Sequence, residues 1–208
     1  MTELQKRLSQ MNLLMHAEQV DKLEKVIDEH LKWNRKINLS AFLTEQAIVD
    51  YQIIDSLTLL QTDLNQHSEL LDIGTGPGFP GLPLAIVCPA LQVILCDSNT
   101  KKLAFATHLI GQLKLTNVQV MPVRVENIAS QRFSQITARA FSRLDAMMSQ
   151  TARLLASSGA LYAMKSQSVT DEVHEARSKF PTASVEITPV HHVIPEMRVI
   201  AKVTGYSA

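Results

Sequence analysis

A glycine-rich segment directly follows a short apolar run in this 208-residue chain, and residues 69–83 read ELLDIGTGPGFPGLP. The apolar run ends at Asp72, and a helical apolar pattern begins at Leu82. Between them the glycines are Gly74, Gly76, Gly78 and Gly81. A strand, a tight glycine turn and a helix are typical of the first unit of a nucleotide-binding α/β fold. Glycine permits a positive φ and a close approach of the backbone to a ligand.

The composition of this turn indicates which ligand it binds. Residues 76–81 match the dinucleotide pattern G-x-G-x-x-G, but Pro77, Pro80 and Pro83 remove backbone N–H donors that a pyrophosphate would need. Asp72 would also repel phosphate, whereas it suits a cation or an amino group. S-adenosylmethionine carries a sulfonium and an ammonium and no phosphate. The turn therefore favours a methyl-donor site, and a nicotinamide-dependent oxidoreductase is the alternative.

Composition sets broad limits on the function. The chain is 46% hydrophobic and 19% charged, as expected for one globular domain with an appendage. Its two cysteines, Cys88 and Cys96, lack metal-binding spacing, and no signal peptide is recognisable, so we expect a cytoplasmic protein with buried thiols. Net charge is zero, yet residues 101–165 carry nine Lys or Arg and only two acids. This excess suits a polyanionic substrate, or it is a scatter of solvated charges.

The apolar periodicity divides the chain into two parts. Helical patterns cover residues 19–33 and 45–60, with a shorter one before them, and no strand pattern precedes residue 69. From there strands and helices alternate, which predicts a doubly wound sheet. The predicted strands are 70–73, 93–96, 118–123, 135–138, 159–164, 185–190 and 199–203, the last two forming an edge hairpin, and the helices are 100–113, 144–154 and 171–179. We therefore expect a helical extension over residues 1–66 and a catalytic domain over 67–208, in one compact unit.

Three positions at predicted strand ends are candidate ligand contacts. Asp97 lies 21 residues after Gly76 and ends the second strand, where its carboxylate can accept both ribose hydroxyls of a nucleoside. The alternative for Asp97 is an N-cap of the following helix. Val125 and Glu126 follow the third strand, where an adenine ring commonly lies, although Glu126 is equally consistent with a loop acid. Arg139 ends the fourth strand, between apolar neighbours, facing the crevice where substrates enter such sheets.

The residues also limit the methyl acceptor. Cytosine C5 methylation needs a nucleophilic cysteine, usually after a proline, and this chain has the reverse order in Cys88-Pro89. The Asn/Asp-Pro-Pro-aromatic motif of base amino methylation and the common metal-binding spacings do not occur, and the His191-His192 pair is expected at the surface. The remaining chemistry is transfer to an atom that is already nucleophilic, which requires positioning and a suitable field. Guanine N7 fits because its in-plane lone pair needs no deprotonation.

The chain resembles the bacterial 16S rRNA guanine-N7 methyltransferases, once called glucose-inhibited division protein B. The matching segments are Lys32-Trp33-Asn34, Asn38-Leu39-Ser40, Ile54-Asp55-Ser56-Leu57, residues 71–81, Asp97-Ser98, Lys101-Lys102, Arg124-Val125-Glu126, Arg139-Ala140-Phe141 and Ala163-Met164-Lys165-Ser166-Gln167. They span nearly the whole chain in order, and together they are far more specific than the glycine turn. The resemblance implies a class I, Rossmann-like, S-adenosylmethionine-dependent methyltransferase fold with an N-terminal helical extension.

The resemblance also implies a substrate and a set of contacts. The substrate is a guanine in the 530 loop of 16S rRNA, at position 527, within the small subunit or an assembly intermediate. Donor contacts are implied for Gly74, Phe79, Val125, Glu126 and Arg139. The chain departs from the family pattern at three positions: Phe79 for leucine, Gln52 for histidine and Ser166 for glycine.

These observations together predict one site. Gly74, Gly76, Gly78 and Phe79 shape the donor pocket beside Asp72, Asp97 holds the ribose, and Val125 with Glu126 flanks adenine. Arg139 lies between donor and base, and Lys165 and Arg124 are candidates for RNA phosphate or guanine O6. We expect neither a metal nor a membrane partner. A non-catalytic ribosome-associated RNA-binding factor is a second alternative function.

Overall fold

The computed structural model describes residues 1–129, 131–166, 169–190 and 198–206. The helical extension contains α1 (Glu3–Gln10), α2 (Ala17–Asn34), α3 (Glu45–Ile48), a π-helix (Val49–Ile54), α4 (Asp55–Leu57) and a 3₁₀-helix (Thr58–Gln61). The strands are β1 (Glu69–Ile73), β2 (Gln92–Cys96), β3 (Val118–Met121), β4 (Phe133–Arg139), β5 (Leu155–Ser166), β6 (Ser184–Pro189) and β7 (Arg198–Thr204). The remaining helices are α5 (Gly81–Val87), α6 (Thr100–Leu113), a 3₁₀ turn (Val125–Asn127), α7 (Leu144–Thr151) and α8 (Thr170–Lys179).

The strands form one seven-stranded sheet in the order β3-β2-β1-β4-β5-β7-β6. Strands β1 to β5 are parallel, and β7 is antiparallel to both β5 and β6. The predicted edge hairpin is confirmed, with β7 inserted between β5 and β6. Because Ile73 pairs with both Cys96 and Ala138, the carboxyl ends of β2, β1 and β4 lie side by side. The glycine turn and the candidate residues Asp97 and Arg139 therefore meet at one edge of the sheet.

Alternating apolar residues bury both faces of the sheet, as expected for a doubly wound fold. Leu70 belongs to a buried cluster on one face and Leu71 to a cluster on the other. The first cluster joins the sheet to α5, α6 and the extension, through residues such as Leu23 and Ile48. The second joins the sheet to α7 and α8. Because the extension shares a continuous core with the sheet, it packs on the domain over a broad apolar surface.

The segment predicted as one α-helix over residues 45–60 differs from that expectation in its middle. It widens to a π-helix over Val49–Ile54 and tightens to a 3₁₀-helix after Leu57. The buried pairs Ile48–Val49 and Ile53–Ile54 recur after five residues, which matches the wider turn. Ser56 Oγ donates to the carbonyl of Gln52 at 2.5 Å. Within the described residues no helix has the length and apolarity needed to cross a membrane.

Candidate active site

The carboxylate of Asp72 organises the glycine turn from beneath. Its Oδ2 accepts hydrogen bonds from Thr75 Oγ1 at 2.6 Å and from the Gly81 N–H at 2.8 Å, so it ties the start of the turn to the start of α5. Burial raises the pKa of Asp72 to about 7. Its Oδ1 is buried and accepts no hydrogen bond from the described residues. Asp72 lines neither cavity at this edge, so the structure gives it a supporting position.

Glycine is required for different structural reasons at different positions of the turn. Gly74, Gly76 and Gly78 all have positive φ, at 65°, 58° and 106°. A Cβ at Gly74 would lie 2.3 Å from Phe141 Cδ2, and one at Gly78 would lie 2.4 Å from Leu82 Cδ1. A Cβ at Gly76 would have only Lys102 Cδ nearby, at 3.8 Å. Gly78 is therefore required by packing, whereas Gly76 leaves space open to a ligand.

Asp97 joins the glycine turn to the end of β2. Its Oδ2 accepts from the Gly76 N–H at 2.8 Å and its Oδ1 from the Asn99 N–H at 2.7 Å. The N-cap of α6 is Asn99, whose side chain accepts from the Lys102 N–H at 3.2 Å. The capping role considered for Asp97 therefore belongs to Asn99. Each carboxylate oxygen of Asp97 accepts one backbone hydrogen bond and retains further acceptor capacity.

Two cavities adjoin at this edge of the sheet and share Gly74 and Ala140. The first has a volume of about 300 Å³ and is lined by Gly74, Cys96, Asp97, Ser98, Val123, Arg124, Val125, Glu126, Ala140 and Phe141. The second has a volume of about 500 Å³ and is lined by the glycine turn, Phe79, Arg139, Lys165 and residues of the extension. The predicted residues thus separate into two groups. Asp97, Val125 and Glu126 lie in the first cavity, and Gly76, Phe79, Arg139 and Lys165 in the second.

The side chain of Arg139 links the sheet to the extension. Its guanidinium donates to the Tyr51 carbonyl at 2.7 Å, to Asp55 Oδ2 at 3.3 Å and to Gln52 Oε1. Its Cζ lies 5.8 Å from the centroid of the Phe79 ring. Burial lowers the pKa of Arg139 and the charge of Asp55 opposes that effect. The result is a fixed positive charge between the glycine turn and the extension.

The ammonium of Lys165 is paired within the protein. We expected this ammonium to act as a point charge toward RNA, but it donates to Glu172 Oε2 at 2.6 Å and to the Ser142 carbonyl at 2.5 Å. Its side chain is only 10% exposed. The charge is therefore balanced within the protein, and Lys165 connects the end of β5 to α8. Arg124 is exposed at the first cavity and keeps the position expected of an RNA contact.

The extension contributes a wall of the second cavity that the residue patterns did not predict. Leu39, Ser40, Phe42, Tyr51 and Asp55 all line it. The turn that presents the first three is held by the Asn34 amide. Its Oδ1 accepts from the Leu39 and Ser40 N–H groups at 2.7 and 3.1 Å, and its Nδ2 donates to the Ser40 and Phe42 carbonyls at 3.0 Å each. In the sequence, this wall is indicated by the segments at residues 32–34, 38–40 and 54–57 that resemble the family.

The two cysteines have little nucleophilic character, although Cys96 lines the first cavity. Cys88 and Cys96 are free and buried, and burial raises the pKa of their thiols to about 11 and about 12. Among the described residues, no cluster of three or more His, Cys, Asp or Glu could hold a metal ion. Residues 167, 191 and 192, singled out from the sequence, lie outside the described part of the chain.

An antiparallel β7 lies between β5 and β6, and Asp72 and Asp97 lie at the carboxyl ends of β1 and β2 beside the glycine turn. These features define the class I methyltransferase fold. The chain belongs to the rRNA small subunit methyltransferase G family, whose model matches residues 19–200. The resemblance drawn from the sequence segments is therefore confirmed, as is the expected fold class. Membership of this family excludes the two alternatives, an oxidoreductase and a non-catalytic RNA-binding factor. The chain is an S-adenosylmethionine-dependent rRNA methyltransferase.

Individual relatives support this assignment over most of the chain. The ribosomal RNA small subunit methyltransferase G of Chromobacterium violaceum is 42% identical over 164 residues, covering 78% of each chain. That of Marinobacter nauticus is 40% identical over 172 residues, covering 82% of this chain and 79% of its own. The crystal structure of an rRNA methylase from Streptococcus thermophilus has the same fold, with a TM-score of 0.51 at 14% identity, covering 74% of this chain and 93% of its own.

Proposed function

We propose that this protein transfers a methyl group from S-adenosylmethionine to N7 of guanine 527, in the 530 loop of 16S rRNA. The acceptor is the small subunit or an assembly intermediate in the cytoplasm. The observation that carries the proposal is the pair of cavities meeting at Gly74 and Ala140, because a donor and an acceptor base must meet at one point. Neither a metal nor a membrane is part of the proposal.

The first cavity suits the nucleoside half of the donor. When bound, S-adenosylmethionine supplies a methyl group activated by its sulfonium. Asp97 accepts hydrogen bonds from the ribose hydroxyls with its remaining lone pairs, and Glu126 offers a second carboxylate at the same cavity. Val125 and Phe141 give apolar surfaces for adenine. The two cavities meet at Gly74 and Ala140, and the methionine half extends past them toward the open space at Gly76 in the second cavity.

The second cavity suits a base whose acceptor atom needs no deprotonation. Among its described lining residues, the only carboxylate is Asp55, and it is paired with Arg139 at 3.3 Å and lies 3.8 Å from Arg198. The Asp55 carboxylate is therefore directed at two guanidinium groups of the protein. Guanine N7 needs no proton acceptor, and transfer then depends on position. Arg139 orients the base through O6, a contact that arginine commonly makes with guanine.

The domain arrangement is part of the same proposal. The extension over residues 1–66 and the domain over 67–208 act as one unit, because the extension supplies a wall of the base cavity and the acceptors for Arg139. Exposed Arg124 and the side chain of Lys102 lie at the two cavities and provide positive charge toward RNA phosphates.

The experiment that tests the proposal is methyl transfer to small subunits from a strain lacking the modification. Radiolabelled donor, wild-type protein and subunits are incubated, and the modified base is located by borohydride reduction, aniline cleavage and primer extension. We expect label at N7 of guanine 527. Naked 16S rRNA is assayed beside assembled subunits to identify the acceptor form. Label at another base or atom, or none on either acceptor, would contradict the proposed function, and calorimetry with S-adenosylhomocysteine tests the donor separately.

A further inference from the structure

We propose that Phe42 and Tyr51 form the aromatic platform on which the target guanine stacks during methyl transfer. This inference rests on the proposed function and names the base contacts of the same site. The two rings belong to different segments of the extension, Phe42 to the turn after α2 and Tyr51 to the π-helix. Neither lies in the sheet or in the glycine turn.

The geometry of the two rings is that of a preformed stack. Their centroids are 5.2 Å apart and their planes differ by 10°. A near-parallel pair at this separation is offset, so part of each ring remains uncovered by its partner. Both side chains are half-buried and both line the second cavity, across from which lie Gly76, Phe79 and Arg139. The cavity therefore has an aromatic surface on the side formed by the extension.

Hydrogen bonds fix the backbone from which each ring projects. The carbonyl of Phe42 accepts from Asn34 Nδ2 at 3.0 Å, and its N–H donates to Ser40 Oγ at 3.2 Å. The carbonyl of Tyr51 accepts from Arg139 at 2.7 Å. Tyr51 thus presents one ring of the platform and also positions the guanidinium of Arg139. A stacked base would consequently have a fixed distance to the charge of Arg139.

The chemistry of N7 methylation explains why a stacking contact is suited to this reaction. The N7 lone pair lies in the plane of the base, so the methyl group must approach along an edge. Contacts with the face of the base fix its plane and leave that edge accessible. Enzymes that modify bases extrude the base from its helix and hold it by stacking and by edge hydrogen bonds. Phe42 and Tyr51 supply the stacking part.

The test uses apolar substitutions that keep much of the side-chain bulk, and the unfolding midpoint separates loss of aromaticity from loss of packing. Phe42→Leu and Tyr51→Leu remove the ring but keep an apolar side chain, and Phe42→Tyr keeps the ring. The control is Leu43→Ala, which changes the next residue, a side chain that is 75% exposed. For each variant, kcat/KM with small subunits, donor affinity by calorimetry and the thermal unfolding midpoint are measured.

We expect kcat/KM for small subunits to fall about 5- to 150-fold in each leucine variant, the range that corresponds to one stacked base. Phe42→Tyr is expected to keep most of the activity, Leu43→Ala to match the wild type, and donor affinity to stay within twofold throughout. An unchanged kcat/KM in both leucine variants would overturn the proposal that Phe42 and Tyr51 stack on the guanine. So would a parallel fall in donor affinity, because the two rings would then contact the donor and not the guanine.

The failure of the platform is distinguishable from the failure of the proposed function. If the wild-type protein places no methyl group on guanine N7, the proposed function fails before any variant is compared. If the wild type methylates guanine 527 and the leucine variants do so equally well, the function stands and the platform is wrong. If Phe42→Tyr loses as much activity as Phe42→Leu at an unchanged unfolding midpoint, the ring is not what the base requires, and the platform is again wrong.

Discussion

Replacing Gly76 with alanine should separate donor binding from folding. Gly76 has a φ of 58°, and a Cβ there would find only Lys102 Cδ, at 3.8 Å. The left-handed conformation costs a residue with a Cβ about 1–2 kcal/mol. For a chain of this length, that cost lowers the unfolding midpoint by about 2–8 °C. The N–H of residue 76 can still donate to Asp97, so the turn should keep its shape.

The same methyl group should act strongly on the donor. Gly76 lines the second cavity at the turn, and the new Cβ would occupy space that we assign to the donor. Inserting a methyl group into a fitted contact costs about 1–3 kcal/mol, which corresponds to a loss of affinity of roughly 5- to 150-fold. A larger, charged side chain in Gly76→Asp should abolish measurable binding while circular dichroism still shows a folded protein.

Two other glycines provide matched controls. Gly78→Ala would place a Cβ 2.4 Å from Leu82 Cδ1 at a φ of 106°, so strain and overpacking together should cost about 2–5 kcal/mol. Gly78 lines neither cavity, and donor affinity of the folded fraction should be nearly unchanged. Gly111 lies in α6 with no atom near its Cβ position, and Gly111→Ala should stabilise the protein by about 0.5–1 kcal/mol.

The assay is calorimetric titration with S-adenosylhomocysteine beside thermal unfolding for all three alanine variants. We expect Gly76→Ala to lose affinity with a small shift of the unfolding midpoint, and Gly78→Ala to show the reverse. If Gly76→Ala binds the donor product as tightly as Gly111→Ala, the space at Gly76 does not belong to the donor. If Gly78→Ala loses affinity without losing stability, the roles assigned to the two glycines are exchanged.

Three further results are expected. Cys88→Ser and Cys96→Ala should each keep most of the initial methylation rate, because burial raises the thiol pKa values to about 11 and about 12, far above neutrality. A loss of orders of magnitude in a folded variant would indicate a covalent mechanism. Arg124→Ala should make the salt dependence of the subunit KM shallower by about 0.7–0.9 log–log unit. Lys165→Ala should leave that slope unchanged, because the Lys165 ammonium is already paired with Glu172. Equal slopes for the two variants would refute this distinction. Burial raises the pKa of Asp72 from 3.8 to about 7, so the folded state holds a proton that the unfolded state releases. The free energy of unfolding measured in urea should therefore fall as pH rises from about 4 to about 7. Asp72→Asn should lack this fall, and an unchanged profile in the variant would show that Asp72 does not cause it.

Much of the fold was predictable because its determinants are local. The alternation of apolar runs and helical patterns after residue 69 predicted every strand of the sheet, and helix α6 begins and ends at Thr100 and Leu113, as predicted. The apolar run of β2 is nearly continuous because both faces of this central strand are buried, which makes such a strand easy to recognise. Predicted bounds differ mainly at β5, which starts four residues earlier, where β4 and β5 shift register.

The parts that were missed depend on contacts between distant residues. No neighbouring residue of Lys165 indicates that Glu172 would face it, and the pairing arises only because α8 packs beside the end of β5. The π-helix was also missed, because a five-residue apolar spacing at 48–49 and 53–54 is also compatible with an ordinary amphipathic helix. Asp97, in contrast, directly follows β2 as predicted, because a strand end is local information; its contact with the ribose stays a prediction.

The polar segment at residues 61–69 separates the two parts of the sequence, but it does not separate the parts of the site. Arg139 belongs to β4, whereas Tyr51, Gln52 and Asp55, its hydrogen-bond acceptors, all belong to the extension. Removing the acceptors of a buried charge costs about 3–5 kcal/mol. The extension therefore stabilises the charged form of Arg139 at the edge of the sheet. A composition-based boundary marks where helical patterns end, whereas the hydrogen bonds of Arg139 cross that boundary.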